Sequence, residues 1–558
     1  MDFTTSLIKD SRLMVSDKIN YGVVKGGETI THQRQPAVAD SNTSLVYNVQ
    51  VPSLQTVIDR RVVFGANFIL KIVGVPGNGV PLVKLGETDA LAPFPLQQML
   101  ATMTTTINSS SISTNIPDVL PALLKLHDKR SLQKYNSMCP NMADNYWAYQ
   151  GLDASTNNSP LSTYSNSGYD NSFQPNGAWY PVDYGTDALA SNKESPPVGD
   201  ATTTLTWYVK FHTDEPLLFL SPFTYTTESN TQGMYGIQNM NFQFQFGNIQ
   251  RVWRSSSSFG KTISLQAVNT AYLDFVFINA HPSDLLPSKN VVPYIEYPRY
   301  ISSVGTGHES KKDKTYQSQS LSLNVVPDKL VIFVRSRDDS TSGKCVPDRF
   351  LSIKNVSLNF NNSSGILSTC NQSGLFEISA ENGLAVSWQE FQGYCAGAPL
   401  TAGVPARVPL CGAPVVLTLG KDVQLVQDYI ASGAIGNFNL QVQVQAYNQS
   451  NETVNNLELV IIAINSGIVV IEQGVSSVFT GILTKEDVLK ASDQGAEGYN
   501  VIGWTQNVRM TGAGLLDTIK TIGQRGIKLA LPLFEGSKAG DFLKAVSGGK
   551  KKMANRLM

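Results

Sequence analysis

The sequence predicts an all-β protein built as two large β domains in tandem. Three observations carry this: apolar–polar alternation in segments spread along the chain, strand-like runs that follow one another directly, and a length of 558 residues, too long for one ordinary core. NFQFQF (241–246) and NLQVQVQAY (439–447) place an apolar residue at every second position, the pattern of half-buried strands. AYLDFVFINA (271–280) and DKLVIFVRSR (328–337) are apolar along most of their length, as strands buried on both faces are. Gly, Asn, Pro and Ser separate these runs, and the regular strand–helix alternation of a parallel sheet is absent.

The apolar stretch LELVIIAINSGIVVIEQG (457–474) is interrupted by NSG, carries Glu458 and Glu472, and is rich in β-branched residues. It therefore predicts two buried strands joined by a tight turn, not a membrane span. Helical patterns are few: FPLQQMLATMTTTI (94–107), IPDVLPALLKLHD (116–128) and TKEDVLKAS (484–492), the last with Thr484 and Asp487 placed for a capping box. Two polar stretches, 164–200 and 305–320, predict long surface loops, both assigned to the first domain. No repeat of 20 to 50 residues is present, which argues against a solenoid or propeller.

Charged residues make up only 16% of the chain, against about 25% in typical soluble domains. Such a surface suits extensive burial against other protein. Net charge is -1, but residues 514–558 hold nine Lys or Arg against three acids, so a tail of +6 follows a body of -7. Five scattered cysteines with no C-x-x-C pair predict free thiols, and the N-terminus lacks a secretory pattern, so sequons such as those at Asn355 and Asn451 are expected to stay unmodified.

Enzyme chemistry finds no foothold. SFGKTIS around Lys261 fails as a phosphate loop because Ser255 stands where that motif needs glycine, and neither G-x-S-x-G nor H-E-x-x-H occurs. His32, His127, His212, His281 and His308 have no ligand spacing among themselves or with the cysteines. No catalytic, cofactor-binding or metal-binding residue is assigned. An acidic body is also a poor match for phosphate, leaving Lys550, Lys551 and Lys552 as the candidate basic contact.

Several segments, in order over residues 21–490, resemble the major capsid proteins of virophages and polinton-like viruses. They are YGVVKGGETITHQ (21–33), VPSLQTVIDRRVVF (51–64), DALAPFPLQQMLATMTTTIN (89–108), EPLLFLSPFTYTTESNTQGMYGIQNMNFQFQFG (215–247), VPDKLVIFVRSR (326–337), FLSIKNVSLNFNNSSGILS (350–368) and LVIIAINSGIVVIEQG with GILTKEDVL. The resemblance implies two tandem antiparallel eight-stranded jelly rolls with short helical insertions. On it, residues 1–19 are an N-terminal arm, 20–338 the first barrel, closed by 326–337, 345–508 the second, opened by 350–368, and 509–558 a C-terminal basic amphipathic segment. It implies a homotrimeric, pseudo-hexagonal capsomer of an icosahedral shell around a DNA genome, with penton and minor capsid proteins as partners and the virion as location. The alternative is a trimeric carbohydrate- or receptor-binding jelly-roll protein.

The tail bears on assembly. MTGAG resembles the recognition pattern of adenovirus-type maturation proteases, with Met510, Gly512, Ala513 and Gly514 as the site and cleavage between the last two. VSGGK (546–550) is a near miss of the related pattern. Beyond it, Asp517, Lys520, Thr521, Gln524 and Lys528 share one helical face and Leu515, Ile519 and Ile522 the other, while Gly523, Gly526 and Pro532 weaken and end the helix. Membrane contact, packaged DNA and protein packing all remain open as its role.

Overall fold

The computed structural model describes residues 5–8, 21–24, 29–85, 88–135, 138–141, 143–148, 198–223, 233–255, 260–279, 286–305, 307–337, 345–401, 404–427 and 430–481. The first barrel is made of β1 (Thr29–Pro36), β2 (Ser44–Gln50), β3 (Val63–Gly74), β4 (Leu100–Ile107), β5 (Ser110–Asn115), β6 (Leu205–Pro216), β7 (Asn239–Phe246) and β8 (Lys261–Asn279). One sheet runs β1-β8-β3-β6 and the other β2-β7-β4-β5, all pairs antiparallel. This interleaving of early with late strands is the jelly roll. Phe64, Phe242, Phe244 and Phe275 project between the sheets and fill the core edge to face or tilted.

The second barrel repeats the order. Its first strand is split into β9 (Lys289–Glu296) and β10 (Arg299–Gly305), and its second into β11 (Asp313–Gln317) and β12 (Leu321–Val325). Then follow β13 (Lys329–Ser336), β14 (Ser352–Phe360), β15 (Ser363–Ile366), β16 (Val415–Thr418), β17 (Ile435–Tyr447) and β18 (Leu457–Glu472), with an added edge strand, β19 (Val475–Thr480). β18 lies between β9/β10 and β13, which pairs on to β16, and β17 lies between β11/β12 and β14, which pairs on to β15. The chain is therefore a double jelly roll. Among the described residues five short helices decorate it: α1 (Pro95–Gln98), α2 (Ile116–Leu124), α3 (Lys129–Gln133), α4 (Gln372–Glu381) and α5 (Trp388–Gln392).

The strands and their pairing correct five sequence expectations. The boundary between barrels falls between Asn279 and Lys289, not at 338–345, because β9 to β13 pair only with strands of the second barrel. Residues 326–337 thus carry β13, which pairs with β18 inside the second barrel and is not the closing strand of the first, and 350–368 form β14 and β15, which are not the second barrel's opening strand. Residues 305–320 belong to the second barrel and include β11, paired to β17. The predicted helix over 94–107 is one turn, α1, followed by β4, since Thr102, Thr104, Thr105 and Thr106 favour extended backbone.

Residues 457–472 are one continuous strand, β18, not two strands and a turn. Gly467 is there for space: a Cβ on it would sit 2.2 Å from the Phe479 carbonyl oxygen of β19. The helix predicted at 484–492 and most of the loop 164–200 lie outside the described residues, although Val198–Gly199 pairs with Val80–Pro81.

Candidate functional surfaces and the seam between barrels

Burying charge is costly unless each charge meets a partner, yet the contact between the two barrels is rich in it. Asp118 on α2 of the first barrel accepts from Arg335 on β13, and its second oxygen lies 2.9 Å from Arg299 Nε on β10. Arg335 also lies 3.4 Å from Glu458 on β18 and donates to the Pro117 carbonyl at 3.1 Å. Asp118 and Glu458 thus meet Arg335 and Arg299, with the exposed Arg337 3.8 Å from Glu458. Arg335 is the register partner of Glu458, so the second barrel supplies this acid–base pair on one rung of its own sheet and offers it to α2.

A second cluster repeats the theme. Arg254 donates to Asp144 through Nε at 3.0 Å and Nη2 at 2.8 Å, and its Nη2 lies 3.4 Å from Asp348, which opens the chain into β14. Arg251 lies 3.6 Å from Asp348 and donates to Gln98 at 2.8 Å; Gln98 in turn donates to Asp348 at 3.0 Å. Burial pulls the Arg251 pKa down in spite of Asp348, whereas at Arg254 the opposing pull of Asp144 and Asp348 wins and the pKa rises. Asp348 is held below the usual carboxylate range: burial opposes this, but Arg251 and Arg254 overcome it.

Around these clusters the first barrel inserts into the second. Trp147 donates its indole N–H to Glu452 at 3.0 Å, and Arg349, 2.9 Å from the same carboxylate, lies 4.6 Å above the Trp147 ring. Cys411 N–H donates to the Asn145 carbonyl and Ala385 N–H to that of Lys125. At the other end Ser109 and Ser110 donate to the Ser476 carbonyl of β19 at 3.1 and 2.7 Å. The barrels are locked at both ends.

Beyond the seam, two sheet faces stand out. On the first barrel, Asp214, Gly65 and Tyr272 share one rung of β6, β3 and β8. Gly65 is required because a Cβ would lie 2.3 Å from the Asp214 carboxylate and 2.4 Å from the Tyr272 ring. Tyr272 donates to Asp214, Arg34 lies 3.6 Å above the Tyr272 ring and pairs twice with Asp274 at 2.9 Å, and His212 closes the row 3.5 Å from Asp214. Although burial opposes it, bonding to His212 and Tyr272 holds the Asp214 pKa down. This is a rigid, polar face.

The second barrel presents the opposite. On the outer side of β9, β18 and β19, three rungs read Lys289–Glu472–Val475, Val291–Val470–Ser477 and Pro293–Ile468–Phe479. Val475 is 59% and Phe479 49% exposed, and Val291, Pro293, Ile468 and Val470 are half-buried. Further along, the same side of β18 carries Glu458, Val460 and Ile462, which are buried where Arg335 meets α2. This face is thus buried at one end, where Arg335 and Arg299 meet Pro117 and Asp118 of the first barrel, and open at the other, more than scattered surface hydrophobics would give.

Inside the first barrel, Glu215 is wholly buried and accepts from the backbone N–H of Leu96 at 2.6 Å and of Gln97 at 3.0 Å. Desolvation outweighs these bonds and pushes its pKa up to about 7. Because the folded value lies above the unfolded one of about 4.3, this group's contribution to stability is fully present below that value and is lost as pH rises through about 7. Glu215→Gln should therefore cost more at pH 5 than at pH 8, read as the difference in Tm from the unsubstituted chain. An equal cost at both pH values would contradict this.

The predicted site residues Met510, Gly512, Ala513 and Gly514, and the basic Lys550, Lys551 and Lys552, lie outside the described residues. Among the described residues there is no group of three or more His, Cys, Asp or Glu placed to hold a metal, and no helix long and apolar enough to cross a membrane. All five cysteines are free. Sequence reading missed the seam acids and arginines; the available signal was Arg335 and Glu458, charges inside otherwise apolar strand runs.

Comparison with known proteins places these features. Residues 1–282 match the model of the Sputnik virophage major capsid protein 1st domain, and residues 297–467 that of the major capsid protein V20 C-terminal domain. The gap between the two falls at the barrel boundary set by strand pairing. The chain is 27% identical to the putative capsid protein V20 of Sputnik virophage over 511 residues, 88% of this chain and 82% of that one. It is similar to the chain in the 3.5 Å cryo-EM structure of the Sputnik virophage, with TM-score 0.74 and 27% identity over 90% of this chain and 97% of that one. The mavirus major capsid protein crystal structure shares the fold at TM-score 0.63 and 14% identity, over 82% and 92%.

Proposed function

This chain belongs to the Sputnik virophage major capsid protein family, and from that membership we propose that three copies form a pseudo-hexagonal capsomer. A virophage major capsid protein, it is structural and not an enzyme. The observation that supports the trimer is the repeated strand order in two barrels fixed side by side by buried ion pairs. Three such chains, joined head to tail in a closed ring, set six similar barrels around one axis. Copies of the capsomer then tile an icosahedral shell around a DNA genome, with penton and minor capsid proteins completing it, after assembly inside the host cell.

The open face of β9, β18 and β19 is the described surface best suited to subunit contact, since apolar, weakly charged surface marks the core of obligate interfaces. Light scattering or mass photometry of the purified chain is expected to show a species of three times 60.6 kDa. A monomer at all concentrations would count against the capsomer.

The C-terminal segment is proposed as an assembly element, cut between Ala513 and Gly514 during maturation by a viral cysteine protease. Its support is the match at Met510, Gly512 and Gly514 at the junction between an acidic body and a basic tail. Mass spectrometry of mature particles should find chains ending at Ala513; chains ending at Met558 would refute obligatory cleavage. A peptide of residues 514–558, with Lys550, Lys551 and Lys552, tests contact with DNA and with anionic vesicles across salt concentrations.

A further inference from the structure

A cavity of about 30 Å³ lies between the barrels, lined from the first by Lys125, His127, Lys129 and Asn145 and from the second by Ala385 and Glu390. One water needs roughly 10–15 Å³ measured in this way, so the space takes an ion somewhat larger than water. Lys125 is 4% exposed. Its ammonium donates to the Asp144 carbonyl and, at 3.2 Å, to Asn145 Oδ1, both neutral acceptors, and an ammonium carries a third N–H donor beyond these two.

The charges around it do not cancel. Glu390 is taken by Lys129, at 3.2 and 3.3 Å, and Asp144 pairs with Arg254 through Oδ2 alone, while its buried Oδ1 makes no hydrogen bond. Among the described residues no carboxylate forms an ion pair with Lys125. Burial pushes the His127 pKa down to about 4, so its ring is neutral at working pH and adds a neutral polar wall, set edge to face against Phe219. Among the described lining residues there are thus two cations and one anion. A buried ammonium without a counter-charge is unfavourable.

We propose that this cavity binds a small monovalent anion, of chloride size, on Lys125, and that the anion ties the two barrels together. Lys125 already joins them, since its carbonyl accepts from Ala385 N–H of the second barrel at 2.9 Å. A bound anion stabilises the folded chain in proportion to the logarithm of its concentration once the site is mostly filled. Capsid stability would then depend on the halide and not only on ionic strength. The site stands on the seam's geometry and does not need the capsomer to be correct.

The test uses the full chain. Tm is measured in sodium chloride and in sodium gluconate at equal ionic strength, for the unsubstituted protein and for Lys125→Met. The expected result is a Tm that climbs with chloride but not with gluconate, and a loss of that difference in the variant. If Lys125→Met does not fold, crystals of the unsubstituted protein grown in bromide decide: an anomalous peak within hydrogen-bond distance of Lys125 Nζ supports the site. Equal Tm in the two salts, a chloride effect that survives in Lys125→Met, or bromide crystals with only water in the cavity would overturn it.

Discussion

Arg335→Ala is expected to destabilise the chain by about 3–5 kcal/mol, the cost of removing one member of a buried ion-pair cluster. The loss leaves Asp118, which is 5% exposed, with Arg299 as its one ion-pair partner among the described residues, and leaves Glu458 on β18 facing α2 without its rung partner. Since whole domains are stable by only about 5–15 kcal/mol, the fall in Tm should be large. The comparison is Arg337→Ala: Arg337 lies 3.8 Å from the same Glu458 but its side chain is 66% exposed. Screened by water, it should change stability by about 0–1 kcal/mol. Equal effects of the two substitutions, in denaturant titrations of the purified chain, would show that the seam does not hold the barrels.

Ile468→Asp is expected to abolish trimer formation while leaving the barrel folded. Ile468 sits on the outer side of β18 between Pro293 and Phe479, half-buried and pointing away from the core of its own barrel. A carboxylate there remains solvated in the monomer, so circular dichroism and Tm of the monomer should be nearly unchanged. In an apolar contact it would be buried without a partner, at a cost of several kcal/mol per subunit. Native trimers at ordinary concentration would show that this face is not a subunit contact.

The strands were legible where one face met the core and the other met water. NFQFQF and NLQVQVQAY are β7 and β17, the penultimate strands of the two barrels, and their alternation is the pleat itself. Strand identity was also clear at 329–336, yet barrel membership was not. Its partner β18 begins more than a hundred residues later, and no local signal carries that distance. The stretch 94–107 misled because Leu96, Leu100, Met103 and Ile107 have helical spacing too; only the threonines distinguish the strand.

Gly467 looked like a turn residue for a related reason. Glycine marks both a bend and a close approach of another backbone, and only the pairing with β19 tells which. The seam was least legible. Asp118, Asp144, Arg251, Arg254, Arg335, Asp348 and Glu458 are scattered over more than 300 residues, and the fold alone brings them together. Composition did carry the broader message, because 16% charge is low for a soluble surface and fits the proposed capsomer, in which copies of the chain cover one another.

Electron microscopy of the purified full-length chain and of particles containing it tests the central claim most directly. The account predicts trimers of pseudo-hexagonal outline, six barrels around one axis, packed edge to edge in a closed icosahedral shell. Single double-barrel monomers that never associate, or rings of another number, would contradict it.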